Sequence, residues 1–331
     1  MKYNKIAIDI SNFFHRAYFT DQALAELKKE DLDVVKDLEG FEIISGGIVL
    51  FFKMLQRVER EFLNPDGEVY FLFDNCHSVI NKRKEIDPEY KANREPREDT
   101  FYKSLDFLNL ILMNYKNSYF TIKKQGLEAD DLVESFIKKF EDDDILLVTN
   151  DFDWFRAITS KVRVAKYDSF KKSYDVYGPE KFKEKFGFYP TNTKMCIYKS
   201  IRGDKGDNIP IGIKGLRTKV LIKLVEEYDS IKSIYTDIEN IDYLSATFKQ
   251  KFIENRARLL MNYTLVDYLQ VTQEELNDSI FSSKFNPKTL LNLYKSLNLE
   301  AINIDPRVYQ YFIKKENKPK SFFKAKKIPR I

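Results

Sequence analysis

At 331 residues, with 32% charged and 43% hydrophobic side chains, the chain can bury a full core and is expected to form two units. No apolar run reaches the roughly 18 residues that a membrane span requires, and two cysteines, Cys76 and Cys196, provide no disulfide framework. The formal charge of +4 is uneven: residues 314–330 hold eight basic side chains against Glu316, which leaves 1–313 at −3.

The N-terminus runs straight into a strand pattern with no signal peptide evident, so a reducing cytoplasm is the simplest setting. Short apolar strands are expected at Ile6–Ile10, Val69–Phe73, Tyr119–Ile122, Ile145–Thr149 and Val162–Lys166. Helical periodicity fills Gly46–Phe62, Thr100–Tyr115 and Asp130–Phe140, while Asp21–Glu42 carries no clear pattern. This alternation predicts an α/β fold with a parallel sheet covered on both faces over 1–178. From about Pro179 to 300 the pattern is helical, interrupted by the glycine-rich Gly203–Leu216. Residues 301–331 form a basic tail expected to be flexible.

Ligands of parallel sheets collect at the carboxyl ends of the strands, and acids gather there. Asp9 ends the first strand, Asp74 follows the second, and Asp151 and Asp153 follow the fourth. Glu128, Asp130 and Asp131 open a helix, and Asp204 and Asp207 lie in the glycine-rich segment. Each has a plain structural alternative: helix capping for Asp130, Asp131 and Asp151, a turn for Asp74. Together, nine anions at one edge would repel strongly unless cations joined them. With only His15 and His77 available, a histidine-built zinc site is hard to assemble. Oxygen ligands suit Mg²⁺ or Mn²⁺, and two such ions about 4 Å apart support in-line phosphoryl displacement.

The segments Phe73-Asp74, Pro88–Arg94, Gly126–Asp131, Thr149–Trp154 and Gly203–Pro210 stand in an order and spacing that resemble the 5′ nuclease/flap endonuclease family, especially its stand-alone bacteriophage members. The resemblance covers roughly 1–300. It implies a PIN-like catalytic domain at 1–178, a helical arch at about 75–105 and a C-terminal helix-three-turn-helix DNA-binding domain at 179–300. It further implies two Mg²⁺ ions, with Mn²⁺ able to substitute. Asp9, Asp74, Glu128 and Asp130 match the first-metal group with Asp131 close by; Asp151, Asp153, Asp204 and Asp207 match the second. Lys91 and Arg94 resemble the pair nearest the scissile phosphate, Arg83 a further phosphate contact, and Tyr90 offers a stacking face. Lys82, Lys84 and Arg97 complete a cationic gateway.

The segment Gly212–Lys219 resembles the family's DNA-gripping hairpin, in which Gly212 and Gly215 let backbone N–H groups approach a duplex phosphate, Lys214 and Lys219 serve phosphates, and a K⁺ ion often binds. The chain departs from that pattern at Arg217, where another glycine is usual; the arginine supplies a charge instead. The expected activity is release of 5′ flaps, 5′-3′ exonuclease action and RNase H-type primer removal, on branched or flapped DNA and RNA–DNA hybrids, by a monomer. The length leaves no room for a polymerase domain, which suggests a stand-alone viral replication protein in the host cytoplasm. The tail, with Phe322 and Phe323, is expected to attract nucleic acid, a sliding clamp or a single-strand DNA-binding protein being the alternative. Two other readings stay open: a PIN-type ribonuclease, which would not need Asp204 and Asp207, and a non-catalytic branched-DNA binder.

Overall fold

The computed structural model describes residues 1–36, 40–74 and 81–297. The expected start of the arch at 75–80, with Cys76 and His77, and the tail at 301–331, with Phe322 and Phe323, lie outside the described residues.

In chain order, strand β1 (Tyr3–Asp9) leads into helix α1 (Ile10–Lys28), the hairpin β2 (Val34–Lys36) and β3 (Glu42–Ile44), helix α2 (Ser45–Phe62) and strand β4 (Leu63–Leu72). Helices α3 (Lys82–Ile86) and α4 (Asp99–Tyr115) precede β5 (Tyr119–Ile122), α5 (Ala129–Lys139), β6 (Ile145–Val148), β7 (Val162–Asp168) and β8 (Ser173–Tyr177). Helices α6 (Pro179–Phe186), α7 (Asn192–Arg202), α8 (Thr218–Glu227), α9 (Ile231–Asp237), α10 (Ala246–Glu254), α11 (Arg256–Val266) and α12 (Gln273–Asp278) follow. Strand β9 (Ile280–Ser282) and helix α13 (Pro287–Ser296) close the described chain.

Seven strands form one sheet in the order β8-β7-β6-β1-β4-β5-β9. The inner five are parallel, and β8 and β9 pair antiparallel at the two edges. The five expected strands are the parallel five. Alternate side chains of each strand enter opposite cores. Ile6, Ile8, Val69, Phe71, Leu146 and Val148 join α1, α2, α4 and α13 on one face. Ala7, Tyr70, Leu72 and Leu147 join α5 and helices α6 to α12 on the other. Both sheet faces are thus dry, which is why these strands read as unbroken apolar runs rather than alternating ones.

Three features departed from the sequence reading. The unpatterned Asp21–Glu42 continues α1 to Lys28, where Lys29 ends it in the left-handed region, and then supplies β2 and β3. The short edge strand β8 went unrecognised. Most consequentially, residues 280–297, read with the helical unit, return to the sheet. Strand β9 pairs with β5, and Leu290, Tyr294 and Leu297 are buried against the α1–α2–α4 face.

Candidate active site

The parallel register Asp9↔Leu72 and Ile8↔Val148 sets the ends of β1, β4 and β6 side by side. Asp9, Asp74 and Asp151 therefore meet at one edge. Asp9 caps α1, accepting from the Asn12 N–H at 3.0 Å and the Thr149 hydroxyl at 2.8 Å. Asp74 accepts from the Ala129 N–H at 2.9 Å, which ties β4 to the start of α5. Asp151 takes its position from its N–H donating to Thr149 Oγ1, and in turn accepts from the Asp153 N–H.

Three carboxylates from both parts of the chain, Asp153, Asp204 and Asp207, place oxygens within 4.8 Å of one another. Between Asp153 and Asp204 lies the buried ammonium of Lys199 on α7, paired to both. Sequence reading missed Lys199. Its one signal was a spacing of five residues before Asp204 within a helix that must pack beneath the loop. Glu128 receives Asn81 Nδ2 at 2.8 Å, the Tyr90 hydroxyl at 3.1 Å and the Lys91 ammonium. The same Tyr90 hydroxyl lies 3.2 Å from Asp207, so it stands between the two carboxylate groups. Arg94 pairs with Asp207 at 2.6 Å and donates from Nε to the Gly206 carbonyl.

Burial and mutual repulsion leave their mark on protonation. Burial, with Asp74 and Asp151 nearby, holds the Asp9 carboxyl well above the usual carboxylate range. Glu128 is pushed up to about 7 by burial, against the opposing pull of Lys91. Asp151 is exposed, but other carboxylates crowd it. Desolvation, together with Asp153 and Asp130, pushes it up to about 7. Asp130 and Asp204 go the other way: burial is outweighed by Arg83, Lys91 and Arg156 for the first, and by Lys199 for the second.

Two expected roles change. Asp131 has the plain structural one, with both oxygens taken by Arg83, the Glu128 N–H and the Leu269 N–H. Arg83 is 1% exposed, and all five of its N–H groups are occupied, by Leu265 O, Glu128, both oxygens of Asp131 and Asp267 O. No donor remains for a phosphate. Its basic neighbours in sequence, Lys82 and Lys84, hide this, because a Lys-Arg-Lys run reads as a solvated face. Lys82, Lys84 and Arg94 are exposed as expected, while Arg97 is half-buried, stacked 4.7 Å from the Phe101 ring.

Over its described residues, the expected arch is bound to the glycine-rich segment. Lys91 N–H, Asn93 and Arg94 donate to carbonyls of Asp207, Lys205 and Gly206, and Asn208 donates to Glu89 O. Gly212 is also reassigned. A Cβ there would meet Ser200 O at 2.3 Å and Leu259 Cδ2 at 2.4 Å, and the Gly212 and Ile213 N–H groups both donate to Ile201 O. Gly212 permits close packing of α7 and α11 rather than approach to a phosphate. Gly215, with φ of 87° and open space around it, turns the exposed stretch that carries Lys214, Arg217 and Lys219.

Residues 4–187 match the family described as 5′-3′ exonuclease, N-terminal resolvase-like domain. The chain belongs to that family of nucleases. A 5′-3′ exonuclease of Buchnera aphidicola is 30% identical over 266 residues, 80% of this chain and 83% of that protein. DNA polymerase I of Caldicellulosiruptor bescii is 29% identical over 308 residues, covering 90% of this chain but 33% of the polymerase. This chain thus spans about a third of that relative's length. Among solved structures, zinc-bound T5 5′-exonuclease superposes with a TM-score of 0.57 at 18% identity, over 94% of this chain and 97% of that one. Human GEN1 in complex with Holliday junction DNA gives 0.54 at 12% identity, over 96% of this chain and 75% of GEN1. These likenesses show a shared 5′ nuclease fold. Among the described residues, no helix is long and apolar enough to cross a membrane.

Proposed function

We propose that this 5′-3′ exonuclease family member is a metal-dependent, structure-selective 5′ nuclease that cuts flapped or branched DNA during replication. One observation carries the reading. Six of the nine carboxylates, Glu128, Asp130, Asp131, Asp153, Asp204 and Asp207, pair with five cations, Arg83, Lys91, Arg94, Arg156 and Lys199, and Asp9, Asp74 and Asp151 meet at the strand ends with no ion pair among the described residues. The acids outnumber the cations beside them, and divalent ions would offset that excess of negative charge.

The residues fit such ions. The candidate ligand atoms are all carboxylate oxygens, which suits Mg²⁺ with Mn²⁺ as a substitute, and Lys91 and Lys199 hold cationic groups between carboxylates. Asp9, Asp74, Glu128 and Asp130 would hold one ion; Asp151, Asp153, Asp204 and Asp207 would hold the other. When bound, the ions supply the Lewis acidity that activates water and stabilises the leaving oxygen in phosphodiester hydrolysis. Tyr90 holds the two carboxylate groups together. Lys91 and Arg94, which stand beside Glu128 and Asp207, would direct their charge to the scissile phosphate. Lys82, Lys84 and Arg97 line the path of the single strand, and Lys214, Arg217 and Lys219 face the duplex, completing a helix-three-turn-helix module around α7 and α8. RNA–DNA hybrids are a second substrate, and the protein works as a cytoplasmic monomer. A K⁺ ion at the hairpin draws no support from Gly212, whose N–H is already bonded.

A 5′-labelled flap duplex tests the proposal. Cleavage near the junction is expected in Mg²⁺ and none in EDTA. Asp153→Asn should be slower by about 100-fold or more while Ca²⁺-supported duplex binding persists. Intact flap in Mg²⁺, or cutting that survives EDTA, overturns the reading. Faster cutting of single-stranded RNA than of the flap would favour a ribonuclease instead.

A further inference from the structure

The C-terminal end of α11 presents carbonyls that no helical N–H can reach. Two buried arginines from distant parts of the chain converge there. Arg83, on α3, donates to Leu265 O at 2.8 Å and Asp267 O at 2.9 Å. Arg156, after β6, donates to Val266 O and stacks 3.7 Å from the Tyr268 ring. Three successive carbonyls at the negative end of a helix dipole are therefore held by two guanidinium groups. Each arginine also grips the first carboxylate group from the other side. Arg83 binds Asp131 through two parallel hydrogen bonds at 2.6 and 2.8 Å and reaches Glu128 at 3.3 Å; Arg156 lies 3.5 Å from Asp130. The Leu269 N–H closes the connection by donating to Asp131 at 3.0 Å.

We propose that Arg83 and Arg156 are positioning residues, a two-arginine clamp through which the end of α11 sets the orientation of Glu128, Asp130 and Asp131. This rests on the metal-nuclease reading above and adds the device that fixes its first ligand group. The physical case is that a buried arginine is costly unless its donors are used. Arg83 uses all five on partners that are either α11 carbonyls or cluster carboxylates. The fork of a guanidinium fixes angle as well as distance, which a lysine would not do. It also makes the helical unit a structural part of a metal site whose first group otherwise lies wholly in the sheet domain.

The clamp is distinguished from simple charge compensation by the direction of one effect. If the arginines only neutralise acids, removing one frees negative charge and raises affinity for Mn²⁺. If they position, affinity falls. Arg156→Met is expected to lower Mn²⁺ affinity in calorimetry by about tenfold or more, and to lower kcat for the flap with KM within about twofold. Unchanged or raised Mn²⁺ affinity in a folded variant overturns the clamp while leaving the nuclease reading intact. Hydrogen exchange on the wild-type protein supplies a test that needs no variant. Mn²⁺ should slow exchange in 126–132 and in 264–270 together. Slowing confined to 126–132 overturns the clamp, and no response to Mn²⁺ anywhere overturns both readings.

Discussion

Lys199 supplies the carboxylate cluster with a positive charge of its own. It is buried between Asp153 and Asp204, so it serves as an internal counter-ion. Removing one partner of a buried ion pair costs about 3–5 kcal/mol. Lys199→Met should therefore destabilise the protein by that order in EDTA, and by clearly less in saturating Mg²⁺, as urea unfolding would show. Equal losses in both would mean that Lys199 acts by packing alone. The raised carboxyls give a pH signature of their own. Glu128 and Asp151 titrate near 7 in the fold but near 4 when unfolded, so the folded state binds more protons between those values. By linkage, metal-free stability must fall as pH rises across that window. In EDTA, Asp151→Asn should lose less thermal stability than the wild type between pH 5 and 8. A larger loss in the variant would show that repulsion at Asp151 is not what strains the cluster.

Loops and helix ends, rather than strand interiors, carry the site. Asn81 caps α3 through the Arg83 N–H and turns its amide to Glu128, so one side chain sets both a helix start and a carboxylate. The 87–94 turn and the 204–208 loop are locked by reciprocal hydrogen bonds, and Asp207 keeps its place through them. Gly212 belongs to this scale. An added methyl meets a backbone carbonyl and a buried leucine at distances no Cβ tolerates. Gly212→Ala should cost about 1–3 kcal/mol in chemical denaturation and loosen the exposed turn that carries Lys214 and Arg217. A neutral substitution would mean that α7 and α11 can separate without penalty.

At the scale of the molecule, one core runs from the sheet into helices α6 to α12, while the other is closed by α13 from the far end of the described chain. The two expected units are consequently interlocked. Leu290, fully buried on α13, should cost about 2–5 kcal/mol when replaced by alanine. The variant should still unfold in one transition, because its loss opens the catalytic sheet's own core. Separate early unfolding of the C-terminal residues would show that β9 and α13 are an appendage.

Sequence alone determined the five parallel strands, because double burial demands apolar runs of characteristic length. It also placed acids at strand ends, since Asp9 closes β1 and Asp74 and Asp151 come just after β4 and β6 in the chain. Tertiary structure decided which charged groups are free. Arg83 and Lys82 are neighbours in sequence, yet one is sealed among five acceptors and the other is exposed. Asp130 and Asp131 are adjacent too, but the helix turns only Asp131 back onto its own start. Those outcomes depend on the end of α11 arriving more than a hundred residues later. Local pattern encodes burial and periodicity, whereas the partner that makes a charge structural or functional comes from elsewhere in the chain.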